Sequence, residues 1–459
     1  MYKIDFEHPC HIHFIGIGGI SMSGFAELLH SMGFTITGSD WHESKITKHL
    51  ESLGIQIVYG QEAKNITDDI DLVVYTAAVQ PTNPEYKEAQ RRGIPMMERA
   101  KMVGQVMKNY PSAIAISGTH GKTTTTSIAS HIFLEADLDP TISVGGILKA
   151  IDGNIRIGHS EHFITEACEY TNSFLQFFPT VGIILNIEED HMDFFQDLDD
   201  IRQSFRRFAE LIPSNGTLII NADIENYKSI TEGLSCRVIT YGLENTDADF
   251  TAADISFDEL GHGSFDALQN GRILGHFSLS VVGRHNISNT LACLALSSLY
   301  GIDTEVIQRG LSSFHGTDRR FELKGKKNGF TIIDDYAHHP TEIAATLTAA
   351  KKYPHNRLWV VFQPHTYTRT RAFLKDFAKS LTLSDEIILT DIYAAREKDP
   401  GDISSKDLAA EIEKLGKTAH YLSDFDSIQK FILKNLTNDD LLITMGAGNV
   451  VEIGENLLK

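Results

Sequence analysis

The sequence predicts an α/β protein built from three successive segments, and three observations lead there. The chain has 459 residues, about three times an ordinary domain. Its first hundred residues alternate short apolar runs with amphipathic stretches, the pattern of a doubly wound parallel sheet. That alternation restarts at Ala113 and again after "FHGTDRRFELKG".

In the first segment, "HIHFIGIG", "FTITGSD" and "DLVVYTAAV" read as strands, while "SMSGFAELLHSMG" and "KITKHLESLG" read as the helices between them. After "IPMMERAKMVGQVMKNYP" comes a boundary near residue 105. The middle segment, 106–317, offers strands at "HFITEA", "VGIILNI" and "GTLIINAD", then a polar, β-leaning insertion from about 236 to 282 and a helix from "GRHNISNTLACLALSSLYG". The last segment, 318–459, alternates once more through "FTIIDDYAHHP", "RLWVVFQPH", "DEIILTDIY", "AHYL" and "DLLITMGAGN".

Composition narrows the function classes. A chain 42% hydrophobic and 22% charged, without a biased tract or an internal repeat, is that of a soluble globular protein. The opening "MYKIDFEHPC" lacks the basic patch and apolar core of a signal peptide, and no apolar run approaches the roughly 20 residues that span a bilayer. The expected location is the cytoplasm. Cys10, Cys168, Cys236 and Cys293 are far apart, which suits neither a disulfide framework nor a zinc site. A net charge of −20 argues against nucleic-acid or anionic-membrane binding. A small polyanion would need locally placed cations and helix N-termini.

Two glycine clusters suggest such places. Gly118-Thr119-His120-Gly121-Lys122-Thr123-Thr124 follows an apolar strand and opens a helix. Glycines there let backbone N–H groups face phosphate oxygens, Lys122 would reach the β- and γ-phosphates, and the Thr123 hydroxyl would bind Mg²⁺. Only two residues separate the glycines, so this is a shortened P-loop; an ordinary Gly-containing strand-to-helix turn is the plainer alternative. Earlier, "GIGGIS" holds Gly16, Gly18 and Gly19, but Ser21 stands where a dinucleotide fingerprint has its third glycine. Ser21 and Ser23 could add hydroxyl donors at the helix start, and Asp40 closes the second strand where a dinucleotide fold binds ribose. On the glycines alone, NAD would also suit this cluster.

Further candidates stand at strand ends, where ligands gather in open α/β sheets. Glu166 stands at the end of "HFITEA", and Asp190-His191 follows "VGIILNI"; with Thr123 they could hold Mg²⁺, although each alone is more often a surface or capping residue. Asn286 and Asn289 in "GRHNISNTLA" offer amides that could read an adenine edge or simply cap the helix. "DDYAHHPTE" and "QPHTYTRTR" bring His338, His339, His365, Arg369 and Arg371 to two strand ends, a set suited to a carboxylate or a phosphoryl transition state.

Taken in order, "GIGGISMSG", "GTHGKTTT", "EACEY", "NIEEDHMD", "GRHNISN", "DRRFE", "DDYAHHPTE" and "QPHTYTRTR" resemble the Mur ligases, ATP-dependent amide-bond enzymes of peptidoglycan precursor synthesis. Within that family the resemblance is to the branch that adds L-alanine to UDP-N-acetylmuramate, with the tripeptide-recycling branch next to it. It implies an N-terminal Rossmann-like domain for the UDP-linked substrate (Gly16, Gly18, Gly19, Ser21, Met22, Ser23, Asp40), a central P-loop ATPase-like domain, and a C-terminal Rossmann-like domain that receives the amino acid. It further implies that Lys122 holds ATP phosphates, that Thr123 and Glu166 bind one Mg²⁺, and that His191 serves a second. His285, Asn286, Asn289, Arg320 and Asp335 fall on nucleotide-side positions, and Tyr336, His338, His365 and Arg369 on the amino-acid side. The implied partners are small molecules, the implied state a monomer or weak homodimer, and domain closure is expected to keep an acyl-phosphate intermediate dry. Three departures stand out. Cys168 and Tyr170 interrupt the usual "EADES". Thr366 replaces an Arg common after "QPH". No lysine occurs from Met192 to Tyr227, where other Mur ligases carry a carbamylated one.

Overall fold

The structure is a computed structural model that describes residues 2–459 except Ala77, Asp193 and Arg396; the last position of "NIEEDHMD" therefore lies outside the described residues. Its residues group into two compact units: 1–187, 202–240 and 295–300 in one, and 188–201, 241–294 and 301–459 in the other.

The first unit opens with β1 (His11–Ile15), β2 (Thr35–Asp40), β3 (Gln56–Tyr59), β4 (Leu72–Tyr75) and β5 (Met96–Glu98), arranged 3-2-1-4-5. All neighbours are parallel, with Ile12 opposite both Ile36 and Leu72. This is the doubly wound order the alternation predicts, and it places the switch point, where ligands bind, between the carboxyl ends of β1 and β4. The apolar runs gave β1, β2 and β4, but β3 and β5 were missed: "QIVY" and "MME" are short and half-exposed edge strands, so neither carries a clear apolar period.

The second sheet of this unit contains β6 (Ser112–Ser117), β7 (Thr141–Leu148), β8 (Gly153–Arg156), β9 (His162–Ala167), β10 (Val181–Ile184), β11 (Thr217–Asn221) and β12 (Arg237–Tyr241), in the order 12-11-10-6-9-7-8. β6 is central and buried along its whole length, as a parallel strand covered on both faces must be. Its register sets Ile116 opposite Glu166, which brings the phosphate loop and that carboxylate to the same sheet edge. β7 and β8 form an antiparallel pair that the strand candidates did not include. Gly104, in the helix Arg99–Met107, marks a close approach: a Cβ there would lie 1.9 Å from the carbonyl oxygen of Gln176. Gly104→Ala is expected to destabilise the protein by about 1–3 kcal/mol through overpacking, read as a lower midpoint of urea unfolding.

In the second unit, β13 (Phe250–Phe257), β14 (His262–Gln269) and β15 (Arg272–Val282) form an antiparallel meander, the β-leaning insertion. The C-terminal sheet has β16 (Glu322–Lys327), β17 (Phe330–Asp335), β18 (Leu358–Phe362), β19 (Glu386–Leu389), β20 (Ala419–Tyr421) and β21 (Leu441–Met445), in the order 16-17-21-18-19-20. Only β16 is antiparallel to its neighbour. Alternate residues of β18 enter opposite cores: Leu358, Val360 and Phe362 pack with Ile343 and Phe377, while Trp359 and Val361 pack with Ile428 and Ile453. Helices thus cover both faces, and the loops after β17 and β18 emerge together at the carboxyl edge. No described helix is long and apolar enough to cross a membrane.

Candidate active site

The phosphate loop leaves β6 through Gly118 and enters the helix Lys122–Glu135 through Gly121. Gly118 has φ +147°, and a Cβ on it would meet that of Leu185 at 2.9 Å; Gly121 caps the helix at φ +82°. Both positions therefore require glycine. The shortened loop is clamped by Asn186. Its backbone oxygen accepts from Thr119 N at 3.2 Å, its side-chain oxygen accepts from His120 N at 2.7 Å, and its Nδ2 donates to the His120 carbonyl at 3.0 Å. Asn186 was not among the candidate residues; its position directly after an apolar strand in "NIEED" was the available signal.

Lys122 Nζ donates to Glu169 Oε2 at 2.8 Å, to the Thr119 carbonyl at 3.1 Å and to the Gly118 carbonyl. Burial disfavours its charge, but the Glu169 carboxylate outweighs that and holds the ammonium protonated well above the usual lysine range. Glu169, 2% exposed, was not expected to take part. Its neighbour Cys168 is an inert thiol, pushed up to about 11 by burial and then by Glu169. Thr123 Oγ1 donates to Glu166 Oε2 at 3.1 Å, and Glu166 Oε1 accepts from Gly145 N at 2.6 Å. A hydroxyl and a carboxylate so close form a hard oxygen donor set that fits a divalent cation such as Mg²⁺.

The first glycine cluster is arranged differently from its sequence reading. Gly16 N and Ile17 N donate to the Ser39 carbonyl at 2.8 and 3.0 Å. Asp40 accepts from Gly18 N through Oδ2 and from Trp41 N through Oδ1, each at 2.8 Å. Both Asp40 oxygens thus brace the loop backbone, a role the sequence reading did not assign to this residue. Ser23 Oγ donates to the Ile20 carbonyl at 2.8 Å and Met22 is 1% exposed, so both side chains are turned into the fold. What remains open is the first turn of the helix Ile20–Ser31, whose leading amides no helical carbonyl can satisfy, together with Ser21, whose Oγ accepts from Arg99 Nη1 at 2.7 Å. Arg99 supplies a cation that the sequence reading missed; it opens a helix nearly eighty positions downstream.

In the second unit, Asp190 is 6% exposed and accepts from Arg369 Nη2 at 3.0 Å and Nε at 3.3 Å. Against the cost of burial, Arg369 and then His191 hold its carboxyl far below the usual range. His191, at φ +54°, has its Nε2 3.7 Å from Asp190 Oδ2. Arg369 Nη1 is 3.3 Å from His365 Nδ1, and His365 stacks on Tyr393 with centroids 5.7 Å apart. The His338 ring is 5.8 Å from that of His365 and 5.4 Å from that of Tyr336. His338, His365, Arg369 and Tyr336 therefore do come together. His339 does not join them: its Nδ1 caps the helix Pro340–Ala350 by accepting from Thr341 N, and its Nε2 donates to the Glu189 carbonyl at 3.0 Å. Arg371 pairs with Asp402 on the exposed side. Thr366 occupies φ +65°, a strained conformation for a β-branched residue, with its N–H donated to the Tyr393 carbonyl at 2.9 Å.

His338 Nδ1 is 3.0 Å from the Tyr336 carbonyl, which selects the tautomer with the proton on Nδ1 and leaves Nε2 an acceptor. Burial, opposed by Glu342 and aided by Arg369, pushes this imidazole down to about 3 from 6.5. The unfolded chain then takes up the proton first, so the contribution of His338 to stability is complete above pH 6.5 and is lost as pH falls toward 3. His338→Gln is expected to flatten the stability profile between those limits; an unchanged slope in chemical unfolding would count against this assignment.

The residues that the resemblance puts on the nucleotide side are more committed within the fold than expected. Asn286 Nδ2 donates to the Val282 carbonyl at 2.8 Å, and Asn289 Nδ2 to Asn286 Oδ1 at 3.0 Å, while the neighbouring His285 is exposed. Asp335 accepts from Phe321 N and Ala337 N, each at 2.8 Å, and is pushed up to about 6 by burial, with Arg320 opposing. Arg320 lies over the Tyr336 ring at 5.3 Å.

Comparison with known proteins agrees with this arrangement. Three domain descriptions match in succession: Mur ligase family, catalytic domain over residues 11–111, Mur ligase middle domain over 116–297, and Mur ligase, glutamate ligase domain over 319–448. The UDP-N-acetylmuramate–L-alanine ligase of Agathobacter rectalis is 59% identical over 459 residues, covering all of both chains, and that of Lachnoclostridium phytofermentans is 56% identical with equal coverage. Among solved structures, UDP-N-acetylmuramate–alanine ligase from Thermotoga maritima superposes with a TM-score of 0.82 at 29% identity, over 98% of each chain. A murein peptide ligase from Psychrobacter arcticus gives 0.73 at 27% identity, also over 98% of each. With a phosphate loop, a braced glycine cluster and an Arg/His strand-end cluster on an α/β architecture of three domains, the chain belongs to the Mur ligase family.

Proposed function

We propose that this chain joins L-alanine to the lactyl carboxylate of UDP-N-acetylmuramate, forming ADP and phosphate from ATP, as a cytoplasmic enzyme of peptidoglycan precursor synthesis. The observation that carries the reading is the Lys122–Thr123–Glu166 arrangement at the end of β6, in a chain 59% identical over its full length to a ligase of that name. Domains at 1–105, 106–317 and 318–459 would take the UDP substrate, ATP and the amino acid respectively.

The lactyl carboxylate attacks the γ-phosphorus of ATP and ADP departs, giving an acyl phosphate. The neutral amine of alanine then attacks the acyl carbon, phosphate leaves with the C–O electron pair, the attacking nitrogen gives up one proton to the departing phosphate, and an amide remains. Backbone amides at the head of the helix Lys122–Glu135 and the Lys122 ammonium offset the repulsion between the two reacting anions. Thr123 and Glu166 would hold one Mg²⁺ and His191 a second, supplying further charge neutralisation at the phosphate oxygens. Arg369 offers a guanidinium to the alanine carboxylate, and His338 Nε2 accepts a hydrogen bond from its amine. Tyr336 and His365 wall that position. Arg320, Asp335, His285, Asn286 and Asn289 attend the nucleotide, the two Asn through their place at the head of a helix. Gly19, Ser21 and the first-turn amides receive the UDP diphosphate.

The test supplies purified protein and Mg-ATP with UDP-N-acetylmuramate and either L-alanine or the recycling tripeptide, and follows phosphate. Release with alanine is expected. Release only with the tripeptide would transfer the chain to the recycling activity, and release with neither would sink the ligase reading.

A further inference from the structure

Glu85 is fully buried, at the second position of the helix Pro84–Arg92, far in sequence from any motif. A carboxylate without water is retained only where strong hydrogen bonds hold it, and an apolar residue there would usually serve stability as well. Its partners indicate another use. Oε2 accepts from Ser39 Oγ at 2.6 Å, and Oε1 accepts from Asn65 Nδ2 at 2.6 Å. His13 Nε2, 1% exposed, lies 3.7 Å from Oε1.

Both routes lead to the loop that precedes the helix Ile20–Ser31. The Ser39 carbonyl accepts from Gly16 N and Ile17 N at 2.8 and 3.0 Å. Asn65 Nδ2 also donates to the Gly60 carbonyl at 2.8 Å, and Gly60 N donates to the Asp40 carbonyl at 2.8 Å. Asp40 Oδ2 in turn accepts from Gly18 N. The helix that carries Glu85 is itself anchored: Asn83 Oδ1 accepts from Glu85 N at 2.9 Å and Tyr86 N at 3.1 Å, while its Nδ2 donates to Gln61 Oε1 at 2.6 Å. Two residues, Ser39 and Asp40, therefore set three consecutive loop amides, and one buried carboxylate holds both.

We propose that Glu85 is a positioning residue for the UDP-substrate cradle: it fixes Ser39 directly and Asp40 through Asn65 and Gly60, and so aims the first turn of the helix Ile20–Ser31 at the diphosphate. This rests on the ligase reading, and the experiment separates the two. Glu85→Ala, Glu85→Gln and Ser39→Ala are assayed by phosphate release, varying UDP-N-acetylmuramate, ATP and L-alanine in turn. Glu85→Ala is expected to raise the KM for UDP-N-acetylmuramate about tenfold or more, with the KM values for ATP and alanine within about twofold. Glu85→Gln, which keeps one acceptor oxygen and the side-chain shape, should recover part of that loss, and Ser39→Ala should move the same KM. If Glu85→Ala does not fold, the other two variants decide. A UDP-substrate KM within about twofold of the parent in every folded variant, or a common rise in all three KM values, would overturn the proposal. Failure of the unaltered enzyme to turn over UDP-N-acetylmuramate would instead overturn the function.

Discussion

Lys122→Ala is expected to lower kcat/KM by about a thousandfold or more, the scale on which removing a positioned charge from a developing anion is felt. The three donors of the ammonium go to the Gly118 and Thr119 carbonyls and to Glu169, so the charge is held at the loop and at least one of these bonds is exchanged for a phosphate oxygen on binding. The same substitution leaves the Glu169 carboxylate without its ammonium in a site where that residue is 2% exposed, and it should therefore also cost stability, up to about 3–5 kcal/mol. Combining Lys122→Ala with Glu169→Gln separates the effects. The pair is expected to regain much of the thermal midpoint and none of the turnover. Recovery of activity in the double variant would show that Lys122 acts only by neutralising Glu169.

The second large effect is expected at Asp190 and Arg369, whose side chains are 8% and 10% exposed. Removing either partner strands a buried charge, at a cost of about 3–5 kcal/mol. Arg369→Ala should in addition raise the KM for alanine more than that for ATP. Because the folded carboxyl of Asp190 is held below its ordinary value of 3.8, its contribution to stability is present above that value and lost as pH falls through the folded one. Asp190→Asn is expected to make stability less sensitive to acid below about pH 4. A variant as acid-labile as the parent, measured by chemical unfolding at pH 5 and 3, would refute the pairing as a stabilising one.

Some parts of this molecule were legible before any coordinates. The apolar centre of β6 and the wholly apolar β18 declare parallel strands covered on both faces. Gly118 and Gly121 announce a loop of left-handed backbone, Glu166 stands at the carboxyl end of β9, His338 and His365 follow β17 and β18, and Arg369 lies in the short helix Tyr367–Ala372 just beyond, as their positions at or after apolar runs imply. Glycine, proline and uninterrupted β-branched runs act locally, so a reader of the chain can use them.

Other parts depend on neighbours far apart in the chain. Asp40 was read as a ribose contact because it ends β2, yet a loop amide 22 positions earlier takes its Oδ2. Glu169, Asn186, Arg99 and Glu85 carry no motif of their own; each matters through a partner that only folding delivers. His339 and Arg371, chemically the same as His338 and Arg369, are turned to a helix cap and a surface pair. The sequence by itself determined the order of three α/β domains and the residue types at each strand end, because periodicity and backbone freedom are written residue by residue. Only the tertiary structure decided which charges meet and which amides are already spent, because a hydrogen bond or ion pair depends on separation in space, and separation along the chain does not predict it.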